Sequence, residues 1–200
     1  PEIALIAALF IALVLYFGRM RGLTSMIGLS FSIFILVGFT IPEIIANKDP
    51  LTICLISSFV IAVASIYLAH GFNKRTSVAV AGTLLTLGLS VILASVFVYL
   101  TQLTGSGTEE TFYLQTAASQ PSFNFRGLFL GGIIISLLGI LDDATTGQSS
   151  AIDEISNADP SLSFAELYKR GLSVGREHIA SLVNTLVLVY AGASLPLFLI

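Results

Sequence analysis

Six apolar runs divide the chain, at about residues 3–17, 22–41, 51–70, 78–100, 127–146 and 179–200, and the connectors between them carry nearly all the charge. Each run except the first comes near the roughly 20 residues a helix needs to cross a bilayer. The pattern predicts an all-α polytopic membrane protein, a six-helix transmembrane bundle. The first run, Ile3 to Phe17, is short. The chain also opens on Pro1 without a charged leader or cleavage site, and Ile200 falls within an apolar stretch, so the expectation is a segment of a longer protein.

Two connectors are long enough to have structure of their own. In the fourth, residues 101–126, Thr108-Glu109-Glu110 offers a helix cap followed by acids in a first turn, where they favour the helix dipole. In the fifth, residues 147–178, Asp159-Pro160 is followed by Ser163 and, three residues later, Glu166. That spacing is a capping box, in which each side chain satisfies the other's backbone donor. A helix is expected to start there and, with Phe164, Leu167, Gly171, Leu172 and Val174 largely on one face, to lie along a leaflet surface.

Charge supplies orientation. Arg19, Arg21, Lys74, Arg75, Lys169, Arg170 and Arg176 fall in the odd connectors, leaving only Lys48 and Arg126 in the even ones. By the positive-inside rule the odd connectors face the cytoplasm, which places both ends of the segment outside a bacterial cytoplasmic membrane. With 55% hydrophobic and 10% charged residues, the lipid bilayer is the expected surrounding, since too little polar surface remains for a soluble globule. The basic residues form no run that would track a phosphate backbone, so nucleic acid is not an expected partner. The one cysteine, Cys54, reads as packing within an apolar span.

One feature in the spans is chemical. Asp142 and Asp143 end the uncharged run Leu128–Leu141. A helix starting near Gly127 reaches Asp142 after about 21 to 23 Å, short of the roughly 30 Å hydrocarbon thickness. Acids at such depth mark proton or ion pathways unless they are paired or hydrated. Two adjacent carboxylates repel, and one proton or bound cation relieves the repulsion. At 100° per residue Asp142, Thr145, Thr146, Ser149 and Asp153 share a stripe that could line a hydrated path if the helix continues inward. Asn184-Thr185, some 7 to 9 Å into the last run, could hydrogen-bond a carboxylate across a helix interface. Asp142, Asp143, Thr146, Asn184 and Thr185 are therefore the candidate ion or proton pathway.

Plainer readings stand beside these. Were the fifth span to begin nearer Phe123, the Asp pair would become an ordinary polar helix end at the headgroups. Asn184-Thr185 also suits a packing hydrogen bond between helices, and Pro42 beside Glu43 marks a boundary or kink. His70 and His178, isolated at span ends, lack the spacing of a metal site, and no cofactor is expected. Gly171 and Gly175, like Gly131, Gly132 and Gly139, allow close helix approach.

The stretches Gly139–Gln148 (GILDDATTGQ), Glu166–Arg170 (ELYKR) and Gly175–Pro196 (GREHIASLVNTLVLVYAGASLP) resemble the YibE/F-like bacterial membrane proteins, with Thr104-Gly105 and Glu109-Glu110 also fitting. The resemblance is specific over about 126–200. It implies an extracytoplasmic domain and a further helix before Pro1 and another span after Ile200. It carries no known activity. The Gly139-Ile-Leu-Asp-Asp-Ala144 stretch is more loosely similar to the Asp-Asp helix of RND-type proton-driven transporters and of the SecD/SecF membrane parts. That similarity implies an RND-like arrangement with Asp142 and Asp143 as proton-carrying acids. RND transporters add a Lys from a second homologous half, which this chain lacks, so a homo-oligomer or a partner membrane subunit would have to supply it.

Three classes of function follow. A proton-coupled transporter or permease subunit is the leading one, and it is not an enzyme. The alternative is a structural or assembly protein whose spans anchor an extracytoplasmic domain, with no transport activity. An intramembrane aspartyl protease needs acids converging from different helices, whereas these two point about 100° apart on one helix. With no Gly-x-x-x-x-Gly-Lys-Ser/Thr loop, energy would come from an ion gradient or a separate ATPase.

Overall fold

The computed structural model describes residues 2–107, 109–117 and 123–195, and every regular element among them is helical. The chain divides into two compact units, residues 1–145 and residues 146–200.

The first unit opens with α1, Glu2–Ile35, which is broken at Arg19 (φ 49°, ψ −131°). The chain doubles back there. A Cβ placed on Gly22 would run into the backbone carbonyl of Val14 and lie 3.3 Å from its Cγ1, a contact that no straight helix makes across eight residues. Gly22 is thus the close approach between two limbs. The second limb passes through a π-helical turn, Leu36–Thr40, into a short helix α2, Ile41–Ile45. The wide turn falls where Pro42 has no N–H to give the carbonyl four residues back, so the proline marks a change from π- to α-helix at a place expected to be a boundary or kink.

Helix α3, Pro50–His70, is started by Asp49, whose carboxylate accepts from the Thr52 N–H at 2.9 Å, and by Pro50 in the first turn. Gly71 at φ 76° ends it. Asn73 caps α4, Lys74–Leu100, by accepting from the Thr76 N–H at 2.9 Å. A short helix α5, Glu109–Ala117, forms where the acidic pair predicted one, while Thr108 lies outside the described residues. Helix α6, Phe125–Ala158, follows. Asn124 precedes it, accepting from the Gly127 N–H at 2.8 Å and donating to Asp49 at 2.9 Å, which ties the starts of α3 and α6 together.

Three contacts set the second limb of α1 antiparallel to α3. Thr24 donates to the Ala69 carbonyl at 3.2 Å, Gly28 meets the Ser65 backbone, and Thr40 shares a buried 2.6 Å hydrogen bond with Ser57. Ile61, Ala62, Leu87, Ile134 and Leu138 from α3, α4 and α6 form the core. Lipid is as apolar as these side chains, so close packing at small residues holds such helices together. Gly131 shows this: a Cβ there would lie 2.5 Å from the Cys54 sulfur.

In the second unit α6 continues through Ala158, and Asp159 turns the chain by accepting from the Ser161 hydroxyl at 2.6 Å and from its N–H at 3.3 Å. Those bonds hold the Asp159 carboxyl below its ordinary range, the hydroxyl contributing most. Helix α7, Phe164–Ala193, starts with the expected capping box. Its Ser163 hydroxyl, 2.7 Å from Glu166, is the main reason that carboxyl also sits low. Gln148 donates to the Gly171 carbonyl at 2.7 Å, and Gly175 gives its side chain room.

Four described stretches are long and apolar enough to cross a membrane: Glu2–Ile45, Pro50–His70, Lys74–Leu100 and Phe125–Ala158. They mark the chain as a membrane protein. The expected count of six differs for two physical reasons. The runs 3–17 and 22–41 belong to one helical stretch, broken only at Arg19. The run 179–200 is the later part of α7, whose first half is strongly polar, and residues 196–200 lie outside the described part.

Candidate functional site

Asp142 and Asp143 lie on α6 where it passes α1 and α3. Together with Ser25, Gly28 and Ser32 of α1 and Ser65 of α3 they line a cleft of about 330 Å³ in the first unit. Asp142 is half-buried and Asp143 exposed, as their 100° separation on the helix requires. The Ser65 hydroxyl is a hydrogen-bonding partner of the Asp142 carboxylate. Gly28 of α1 packs at this level, where a Cβ would lie 3.4 Å from the Ser65 carbonyl oxygen. Ser32 donates to the Gly28 carbonyl at 3.0 Å, so its oxygen still has lone pairs with which to accept.

One turn beyond Asp142, the adjoining face of α6 is anchored to α4. Thr145 shares a 2.6 Å hydrogen bond with Thr83 of α4 and also bonds the Leu141 carbonyl at 2.8 Å. This threonine, expected on a hydrated stripe with Asp142, is engaged in helix packing, and Gly82 leaves room for its methyl group. The α4 contact keeps α6 from rotating the acids away from the cleft.

Charge gathers at one end of the cleft. His70, which ends α3, interacts electrostatically with Arg75, Arg21 and Asp143. Asp143 is thus linked through His70 to basic groups of the first and third connectors, Arg21 and Arg75.

The structure brings together two of the five predicted residues, Asp142 and Asp143. Thr146, Asn184 and Thr185 belong to the second unit. Thr146 is half-buried; Asn184 and Thr185 are exposed on α7, and the Thr185 hydroxyl donates to the Ser181 carbonyl at 3.0 Å. Ser25, Ser32 and Ser65 escaped sequence reading. A signal was present: Ser25 and Ser32 are seven residues apart, as are Ser58 and Ser65, a spacing that keeps hydroxyls on one face of an apolar helix.

A small cleft that sets two carboxylates and three hydroxyls in an otherwise apolar lining, within helices long enough to span a bilayer, can bind and release a proton or a small cation. No curated protein and no solved structure matches the chain. The YibE/F-like protein family model, however, matches residues 6–200, nearly its whole length and including every residue of the cleft, so the chain belongs to the YibE/F-like protein family.

Proposed function

We propose that this protein is a proton-coupled membrane transporter or permease subunit in which Asp142 and Asp143 carry the proton. The observation that supports it most is the position of the pair. Two acids line a mostly apolar cleft partway along a helix of membrane-spanning length, with Ser65 beside Asp142, rather than ending the helix in water. On this reading the two limbs of α1 each cross the membrane, since 44 residues of helix would measure about 66 Å unbroken, twice a bilayer core. The later part of α7 adds a sixth span. The basic connectors then face the cytoplasm of a bacterial cell. The resemblance of the Asp-Asp stretch to RND-type helices fits the same chemistry, with Arg21 and Arg75 supplying positive charge around His70, which itself interacts with Asp143.

The test is infrared difference spectroscopy of the full-length protein in lipid, stepped between neutral and mildly acidic pH. A protonated-carboxyl band that disappears in Asp142→Asn or Asp143→Asn supports the proposal. A spectrum that neither substitution changes refutes it. Substitutions that lower only thermal stability would favour an anchoring role for the helices.

A further inference from the structure

The α1–α3 seam holds hydroxyls beyond those of the cleft. Past the end of the cleft, which Leu36 and Ile61 line, Ser58 is fully buried and its hydroxyl has no hydrogen-bond partner. An orphan buried hydroxyl is costly, and alanine or valine would avoid that cost. Ser58 lies seven residues before Ser65, on the same face of α3 and about 10 Å along it. That face also carries Cys54, which touches Gly131 of α6, so Ser58 is directed toward the groove where α1, α3 and α6 meet. Ser32 falls between Ser65 and Ser58. It is four residues beyond Gly28, which touches Ser65, and so about 6 Å up the seam. Ser57 and Thr40 follow with their buried 2.6 Å bond. One turn later comes Glu43, ion-paired with Lys48.

We propose that Ser65, Ser32, Ser58 and the Ser57–Thr40 pair form a proton path joining the Asp142 cleft to the Glu43–Lys48 end of the seam. The path rests on the proton-carrying reading of Asp142 and gives that reading its route. Along the seam axis Ser32 lies about 6 Å from Ser65 and about 4–5 Å from Ser58, farther than a direct hydrogen bond reaches, so water has to bridge these steps. A proton enters from bulk water beside Glu43 and is relayed as each oxygen takes one proton and releases another. It comes to rest on an Asp142 carboxylate oxygen, and only O–H bonds form and break. A proton arriving from the other end meets the charges of Arg21 and Arg75 around His70, whereas Lys48 at the seam's mouth is paired with Glu43.

The experiment follows hydrogen–deuterium exchange of the Asp142 carboxyl band in the full-length protein in lipid after mixing with heavy water. Ser58→Val is expected to slow exchange about tenfold or more. Ser58→Ala, the gentler change should valine misfold, is expected to slow it while melting at or above the native temperature. Ser90→Ala, in the separate apolar cleft between α4 and α6, should leave the rate unchanged. Native exchange rates in folded Ser58→Ala and Ser58→Val overturn the path while leaving Asp142 as a proton carrier. A lower melting point with an unchanged rate assigns Ser58 to packing and overturns the path equally. A band that is absent, or indifferent to Asp142→Asn, overturns the proton reading and the route with it.

Discussion

Replacing Asp49 with alanine removes three hydrogen bonds at the start of α3. The carboxylate accepts from the Thr52 N–H at 2.9 Å, from the Thr52 hydroxyl at 2.8 Å and from Asn124 at 2.9 Å. Loss of a helix N-cap costs about 1 kcal/mol. The bond to Asn124 is exposed, so its donor returns to water and the loss there is about 0.5–1 kcal/mol. Together the change is about 1.5–2 kcal/mol, which for a chain of this size lowers the melting temperature by about 3–8 °C. Cys54 provides the assay, because it is the one cysteine in these 200 residues and is 2% exposed. A fluorogenic maleimide reacts with it only as α3 separates from α6. Asp49→Asn should recover most of the loss, since asparagine caps as well as aspartate. Melting of Asp49→Ala within about 1 °C of native, or an Asp49→Asn variant as unstable as alanine, would refute the capping argument.

The same residue gives a pH dependence. Its hydrogen bonds, that from the Thr52 N–H foremost, hold its folded pKa below the usual carboxylate range. Its stabilising contribution is therefore complete above the unfolded value of about 3.9 and declines as pH falls through the lower folded value; melting scans should show that decline in the native chain and lose it in Asp49→Asn. Gly131→Leu forces a side chain into the Cys54 sulfur, 2.5 Å from the glycine's Cβ direction, and should cost at least about 1–3 kcal/mol and accelerate maleimide labelling. Gly132→Leu, where a Cβ meets nothing within 4 Å, should label at the native rate. Arg19→Gly relieves a residue held at φ 49° and should raise stability by about 1 kcal/mol in the same assay; an unchanged melting point would deny that the break is strained.

Helix positions were legible because apolar run length and local caps are written in adjacent residues. The Ser163–Glu166 box and the Asp49-Pro50 start need nothing beyond four residues of context. The reversal at Arg19 was harder to read. Hydropathy showed a polar gap between two runs, but a sharp turn there depends on Gly22 meeting Val14, a contact between limbs that composition does not encode. The extent of α6 was also hidden, since Ala144–Ala158 reads equally as a polar connector or as a continued helix until its Gln148–Gly171 bond is known.

At the site, legibility followed charge. An acid in an apolar span announces itself because its burial is expensive, and two in succession point to a pathway from sequence alone. A serine in the same span is cheap enough to read as filler, and Ser25, Ser32, Ser58 and Ser65 each look unremarkable. Their meaning comes from the antiparallel register in which Thr24 reaches Ala69 and Thr40 reaches Ser57, interleaving two seven-residue hydroxyl spacings along one seam. Sequence spacing supplies each half of that arrangement; only the helix pairing determines that the halves meet beside Asp142 rather than face lipid. The burial of Ser58 without a partner separates the two cases, for a hydroxyl turned to lipid would be exposed and one serving helix packing would have found a carbonyl.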